Sequence, residues 1–192
     1  MMKLNDIFKN TSYDDTLFSA DAIEAVESAV FMKTIKGSET PYIKCFVRDK
    51  EIKLTPEEAV RQLYIYKLIH EYNYPTDRIQ LETPIHFGRE VKRADITIMD
   101  KDRPTVPYII VELKKPKLTD GKEQLKSYCN ATGAPIGVWT NGEQVSCYNR
   151  KDPNFFEMIS DIPKATQKLS DILSERYTYD DLRTRDKISK EK

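Results

Sequence analysis

Arg93-Ala94-Asp95-Ile96-Thr97-Ile98-Met99, followed after a loop by Tyr108-Ile109-Ile110-Val111-Glu112-Leu113-Lys114-Lys115-Pro116, is the stretch that decides how this chain folds. Successive side chains of a β-strand point to opposite faces, so Ala94, Ile96 and Ile98 are the expected buried set of the first segment, with Asp95 alternating against them. In the second segment Glu112 and Lys114 share one face, while Val111 and Leu113 turn the other way. Tyr108 to Leu113 is apolar almost throughout, the pattern of a central strand covered on both sides, and an acid inside such a strand needs a partner. If the two strands meet, Asp95, Glu112 and Lys114 converge. Two carboxylates and an amine can hold a divalent cation beside a phosphate, or form a buried structural ion pair.

Upstream, Thr55-Pro56-Glu57-Glu58 carries an N-cap, a proline at the first helical position and a glutamate three residues after the cap, so a helix starts there. Val60, Leu63, Tyr64 and Leu68 give it an apolar stripe that Ile65 and Ile69 widen, and Asn73-Tyr74-Pro75 ends it. Ile79 to Phe87 alternates as the first core strand, with Pro84 pointing to an edge or a bulge, and Gly88 and Glu90 fall in the turn after it. Downstream, Asp120 to Ala131 reads as a second helix and Ala134 to Thr140 as a strand. Asn141-Gly142 predicts a type I′ hairpin into Gln144 to Tyr148, and Pro163 to Glu175 a closing helix. Before Thr55, the pattern gives a helix over Asp21 to Val30 and short strands at Tyr42 to Val47 and Glu51 to Leu54, joined at Arg48-Asp49-Lys50.

The whole chain has 192 residues, 39% hydrophobic and 32% charged, which suits one soluble folded domain with appendages. No apolar run reaches the ~20 residues of a membrane helix, and the N-terminus lacks the apolar core of a signal peptide, so the expected location is the cytoplasm. Cys45, Cys129 and Cys147 are an odd number without CxxC spacing, which argues for small buried hydrophobes rather than disulfides or a thiolate zinc site. Thirty-one basic and 31 acidic residues balance to a net charge of +0, so no global field draws the chain to nucleic acid. Any such contact must be local, and Lys114, Lys115, Lys117, Lys122 and Lys126 can supply it. His70 and His86 lack partners at ligand spacing and read as surface or packing residues. Gly121-Lys122 lacks the rest of a phosphate-binding loop.

The order helix, three strands, helix, strand, strand, with Asp95 on the second strand and Glu112-Leu113-Lys114 on the third, resembles the PD-(D/E)XK nuclease superfamily. Gln124-Leu125-Lys126-Ser127-Tyr128 looks like the Q-x-x-x-Y motif of the N-terminal nuclease domains of type I restriction R subunits, and Pro56 to Gln62 is similar to their opening helix. Positions i and i+4 share a helix face, so Gln124 and Tyr128 would point together at the site. Ala94 stands where the family often has proline, a change of backbone shape and not of ligands. The resemblance spans about Leu54 to Tyr148, roughly half the chain.

It implies an α/β restriction-endonuclease-like core over residues 54–176, a central mixed sheet flanked by helices. Read from the residues themselves, 1–53 are expected to be an extension packed on that core, and 177–192, charged and core-poor, a linker to a downstream region. It further implies a Mg²⁺-dependent DNA endonuclease, with Mn²⁺ as substitute. Asp95, Glu112 and the backbone carbonyl of Leu113 would be the ligands, with Glu58 a further contact if it is not engaged as the capping-box acid, in which case Glu57 faces the site. Lys114 would position or deprotonate the attacking water, Gln124 and Tyr128 would assist, and Lys115, Lys122 and Lys126 would meet double-stranded DNA. ATP would enter only through a translocase further along the parent. The expected partners are the modification and specificity subunits, or a fused methyltransferase, of a restriction-modification system. Two other readings keep the fold: a repair nuclease, and a non-catalytic DNA-binding or interaction module.

Overall fold

A computed structural model describes residues 2–8 and 17–173. The chain begins with α1 (Leu4–Phe8) and α2 (Ala20–Ser28), then runs through β1 (Val30–Ile35), β2 (Ser38–Lys44) and β3 (Glu51–Lys53) into the long helix α3 (Pro56–His70). Then follow β4 (Ile79–Phe87), β5 (Glu90–Met99), β6 (Pro107–Leu113), α4 (Lys122–Thr132), β7 (Ile136–Thr140), β8 (Val145–Asp152) and β9 (Phe155–Ile159). Strands β1 to β3 form a small antiparallel sheet, and β4 to β9 a six-stranded sheet in sequence order. All its pairs are antiparallel except β6 with β7. That parallel pair requires a crossover, and α4 provides it.

Two apolar layers hold the large sheet between helices. On one face Ile96, Ile98, Ile109, Val111, Leu113, Ile136 and Val138 pack with Ala59, Val60, Leu63, Ile65 and Leu68 of α3. On the other, Ile110 and Trp139 pack with Leu125, Tyr128 and Cys129 of α4. The central strand β6 is therefore buried on both sides, as its composition predicts. Helix α3 starts where its capping signal lies: the Thr55 hydroxyl accepts from the Glu58 N–H at 3.2 Å and Pro56 opens the first turn. Ile43, Ala22 and Val26 from the preceding elements join the α3 layer, so residues before Thr55 share its core. All three cysteines are buried and free.

Several expectations are corrected. Strand β1 and its tight turn to β2 were not anticipated; Lys36 and Gly37 both take positive φ there, 50° and 79°. Strand β9 is likewise additional, and it covers the edge that β8 would otherwise present. Glu90 opens β5 instead of lying in the turn. Asn141-Gly142 joins β7 to β8, but only Gly142 has positive φ, so this is not a type I′ turn. The Asn141 side chain instead accepts from the N–H groups of Glu143 and Gln144, at 3.0 and 2.8 Å, and organises a longer loop. The closing helix is helical over residues 169–173, preceded by a turn at 165–166, while 174–175 and the expected linker 177–192 lie outside the described residues.

Asp95 sits where the hairpin departs from simple alternation. Ala94, Ile96 and Ile98 are all buried, but Ile96 and Ile98 belong to the α3 layer and Ala94 to the α4 layer. The neighbouring strand changes face at the same level: Leu81 packs toward α3 and Ile85 toward α4, with Glu82 between them at a φ of 55°. A left-handed residue breaks the two-residue alternation of side chains. The β4–β5 hairpin thus changes cover at Asp95.

Candidate active site

Strand β5 pairs Ile96 with Val111 of β6, and continuing that register sets Asp95 opposite Glu112. The two acids singled out from the sequence are therefore neighbours across one ladder. Asp95 also meets the next residue directly, its Oδ2 accepting from the Leu113 N–H at 2.7 Å. Glu112, 2% exposed, receives Lys114 Nζ on Oε1 at 2.8 Å. Its second oxygen, Oε2, is buried without a hydrogen-bond partner. An unpaired carboxylate oxygen in a protein interior is costly, and a cation is the kind of group that satisfies it.

Burial drives the Glu112 carboxyl up to about 7; the Lys114 hydrogen bond opposes that rise and the Asp95 charge adds to it. Desolvation pulls Lys114 down, but the hydrogen bond and charge of Glu112, with Asp95 and Asp120 behind it, outweigh that pull and leave its pKa raised. Lys114 therefore carries its proton. Gly121 closes over this lysine with a φ of 94°, and a Cβ there would stand 2.5 Å from Lys114 Cε. A side chain at that position would be strained by the backbone and would push Lys114 aside.

Helix α4 brings Gln124 and Tyr128 together, Gln124 Nε2 donating to the Tyr128 hydroxyl at 2.6 Å. Burial raises the Tyr128 pKa, and the charges of Glu112, Asp95 and Lys114 all act on its hydroxyl, which puts it within electrostatic reach of the site. The lysines expected to meet DNA divide. Lys115 is exposed; Lys122 lies 4.8 Å over the Trp139 ring; Lys126 pairs with Glu123 at 2.8 Å.

Glu58 is buried and faces the site region through another residue. Arg61, 8% exposed, donates from Nη1 to Glu58 and from Nη2 to Asp95 Oδ1 at 2.7 Å. The other Glu58 oxygen accepts from Gln62 Nε2 at 2.7 Å. Glu57 is half-exposed at 3.7 Å from Arg61. Arg61, read only as part of the opening helix, and Gly121, read only as a fragment of a phosphate loop, are participants whose place at the site the sequence did not reveal. The helical spacing of Glu58 and Arg61 was a legible signal for their pairing, whereas nothing local joined Arg61 to Asp95, 34 residues away. Among the described residues no three His, Cys, Asp or Glu side chains gather at metal-ligand spacing, so any ion here would rest on two acids and main-chain oxygen.

Residues 56–163 match the family described as type I restriction enzyme R protein N terminus. The chain belongs to that family. The matched segment opens on the first residue of α3 and contains every group of the site just described, so the R-protein N-terminal fold and the acid–lysine cluster coincide. A solved structure, a DUF820 protein from Anabaena variabilis described as a candidate nuclease, aligns with 75% of this chain and 84% of its own, at 17% identity and a TM-score of 0.40. Comparison with curated proteins gives no match. Among the described residues of this R-protein N terminus, no helix is long and apolar enough to cross a membrane.

Proposed function

We propose that this R-protein N terminus is the metal-dependent DNA endonuclease domain of a restriction-modification enzyme, hydrolysing phosphodiester bonds in double-stranded DNA. The observation that carries the reading is the buried Glu112 Oε2 without a partner, next to Asp95 and Lys114. Asp95, Glu112 and the Leu113 carbonyl would hold Mg²⁺ or Mn²⁺, hard cations that prefer oxygen. When bound, such an ion supplies Lewis-acid neutralisation of phosphate charge. The chain's own residues do the rest. Lys114, protonated beside Glu112, donates: it orients the attacking water or holds a non-bridging phosphate oxygen, and does not abstract a proton in this state. Tyr128 accepts from Gln124 and keeps its own hydroxyl proton to offer to substrate. Lys115, exposed just past Lys114, is placed for a backbone phosphate, with Lys122 and Lys126 along α4. ATP dependence and the modification and specificity partners belong to other parts of such an enzyme.

Plasmid nicking with Mg²⁺ or Mn²⁺ tests this reading, paired with calorimetric metal binding because an excised domain can turn over slowly. Asp95→Ala and Lys114→Ala are expected to cut the nicking rate at least 100-fold, and Asp95→Ala alone to abolish metal binding. Variants that nick as fast as the parent would show the site to be misassigned. DNA binding indifferent to metal, with no nicking, would leave a non-catalytic module.

A further inference from the structure

Arg61 is a buried cation lodged between two acids. Its Nη1 reaches Glu58 and its Nη2 reaches Asp95 Oδ1 at 2.7 Å, while its Nε is buried without a partner. Asp95 uses its other oxygen on the Leu113 N–H, and Glu58 its other oxygen on Gln62. The guanidinium therefore bridges two carboxylates as a metal ion would, beside the pair Asp95 and Glu112 where the proposed ion sits. Charge makes the consequence definite. Leaving aside Glu57, which is half-exposed and screened by solvent, Glu58, Asp95 and Glu112 contribute three negative charges when ionised, Arg61 and Lys114 two positive, leaving −1. One divalent ion takes this cluster to +1, and a second would take it to +3 in a poorly solvated setting, where like charges repel strongly.

We propose that Arg61 is a specificity-determining residue that takes the place of a second cation, limiting the site to one divalent ion and weakening that ion's hold. This rests on the reading that Asp95 and Glu112 bind metal. Replacing Arg61 by a neutral residue would free Glu58 and one Asp95 oxygen and lower the cluster to −2.

The test is a Mn²⁺ titration followed by calorimetry, with unbound Mn²⁺ counted by electron paramagnetic resonance and folding monitored by thermal melts. The parent is expected to bind one Mn²⁺ per chain. Arg61→Gln should bind at least tenfold tighter or take up a second ion, and Arg61→Lys should keep the parent's stoichiometry. Glu58→Gln, which leaves the guanidinium to Asp95 and the half-exposed Glu57, should bind several-fold more weakly and keeps the proposal testable if Arg61→Gln does not fold. Two ions in the parent, or unchanged affinity and stoichiometry in both Arg61→Gln and Glu58→Gln, would overturn the role of Arg61 while leaving the metal site standing. A parent that binds no Mn²⁺ would overturn the role together with the reading beneath it.

Discussion

Lys114 owes its position to what surrounds it more than to its own strand. Gly121 covers it at a φ of 94°, where a side chain is both strained and in collision. Gly121→Ala is expected to destabilise the fold by about 1–3 kcal/mol and to move Lys114 off Glu112. Denaturation midpoints and the nicking rate check the two effects separately. Glu112 makes a second residue-scale prediction. Its carboxyl is raised by burial to about 7 from an ordinary 4.5, so the metal-free fold favours its protonated form. The contribution from this group is full below pH 4.5 and is lost as pH climbs through about 7, a span worth at most about 3 kcal/mol. Denaturant titrations in a chelator between about pH 5 and pH 8 should show that loss in the parent, and Glu112→Gln should flatten it.

Helix α3 is the element on which both core and site depend. Its capping, proline and apolar stripe are local properties, and they locate its start correctly. Thr55→Ala should cost about 1 kcal/mol by removing the acceptor for the Glu58 N–H. Leu63→Ala, at a fully buried position against the sheet, should cost about 2–5 kcal/mol. Urea melts measure both. The strands that bear the acids were legible for a similar reason: the apolar run marks a central strand, and a charge persists inside such a run only where a polar task holds it there. Strands β1 and β9 were not legible. Their sequences alternate weakly, with Met32, Ile35, Phe155 and Met158 well exposed, so pairing and not burial keeps them in place. The β7–β8 connection misled because Asn141 uses its side chain, not a left-handed backbone, to close the loop.

At the scale of the molecule, the balanced charge of +0 limits how the protein can meet DNA. Beyond Lys114, which Glu112 already neutralises, Lys115, Lys122 and Lys126 are the lysines placed for backbone phosphates, and the last two already lie on Trp139 and Glu123. The logarithm of DNA affinity should therefore fall with the logarithm of salt concentration at a slope of about −3 or shallower, read by fluorescence anisotropy. A slope of about −6 would mean that a further basic face meets the duplex.

Local chemistry was enough to write down the order of helices and strands from α3 to β8 and the double burial of β6, and to single out Asp95, Glu112 and Lys114 as neighbours should their strands meet. Each of these follows from periodicity, capping or the cost of placing a charge among apolar neighbours. Tertiary structure alone decided that the hairpin changes cover at Asp95, that Gly121 lies over Lys114, and that Arg61 reaches from α3 to the acid on β5. Those contacts are set by how the layers dock and how the loop between β6 and α4 folds back, and no local pattern encodes a docking distance.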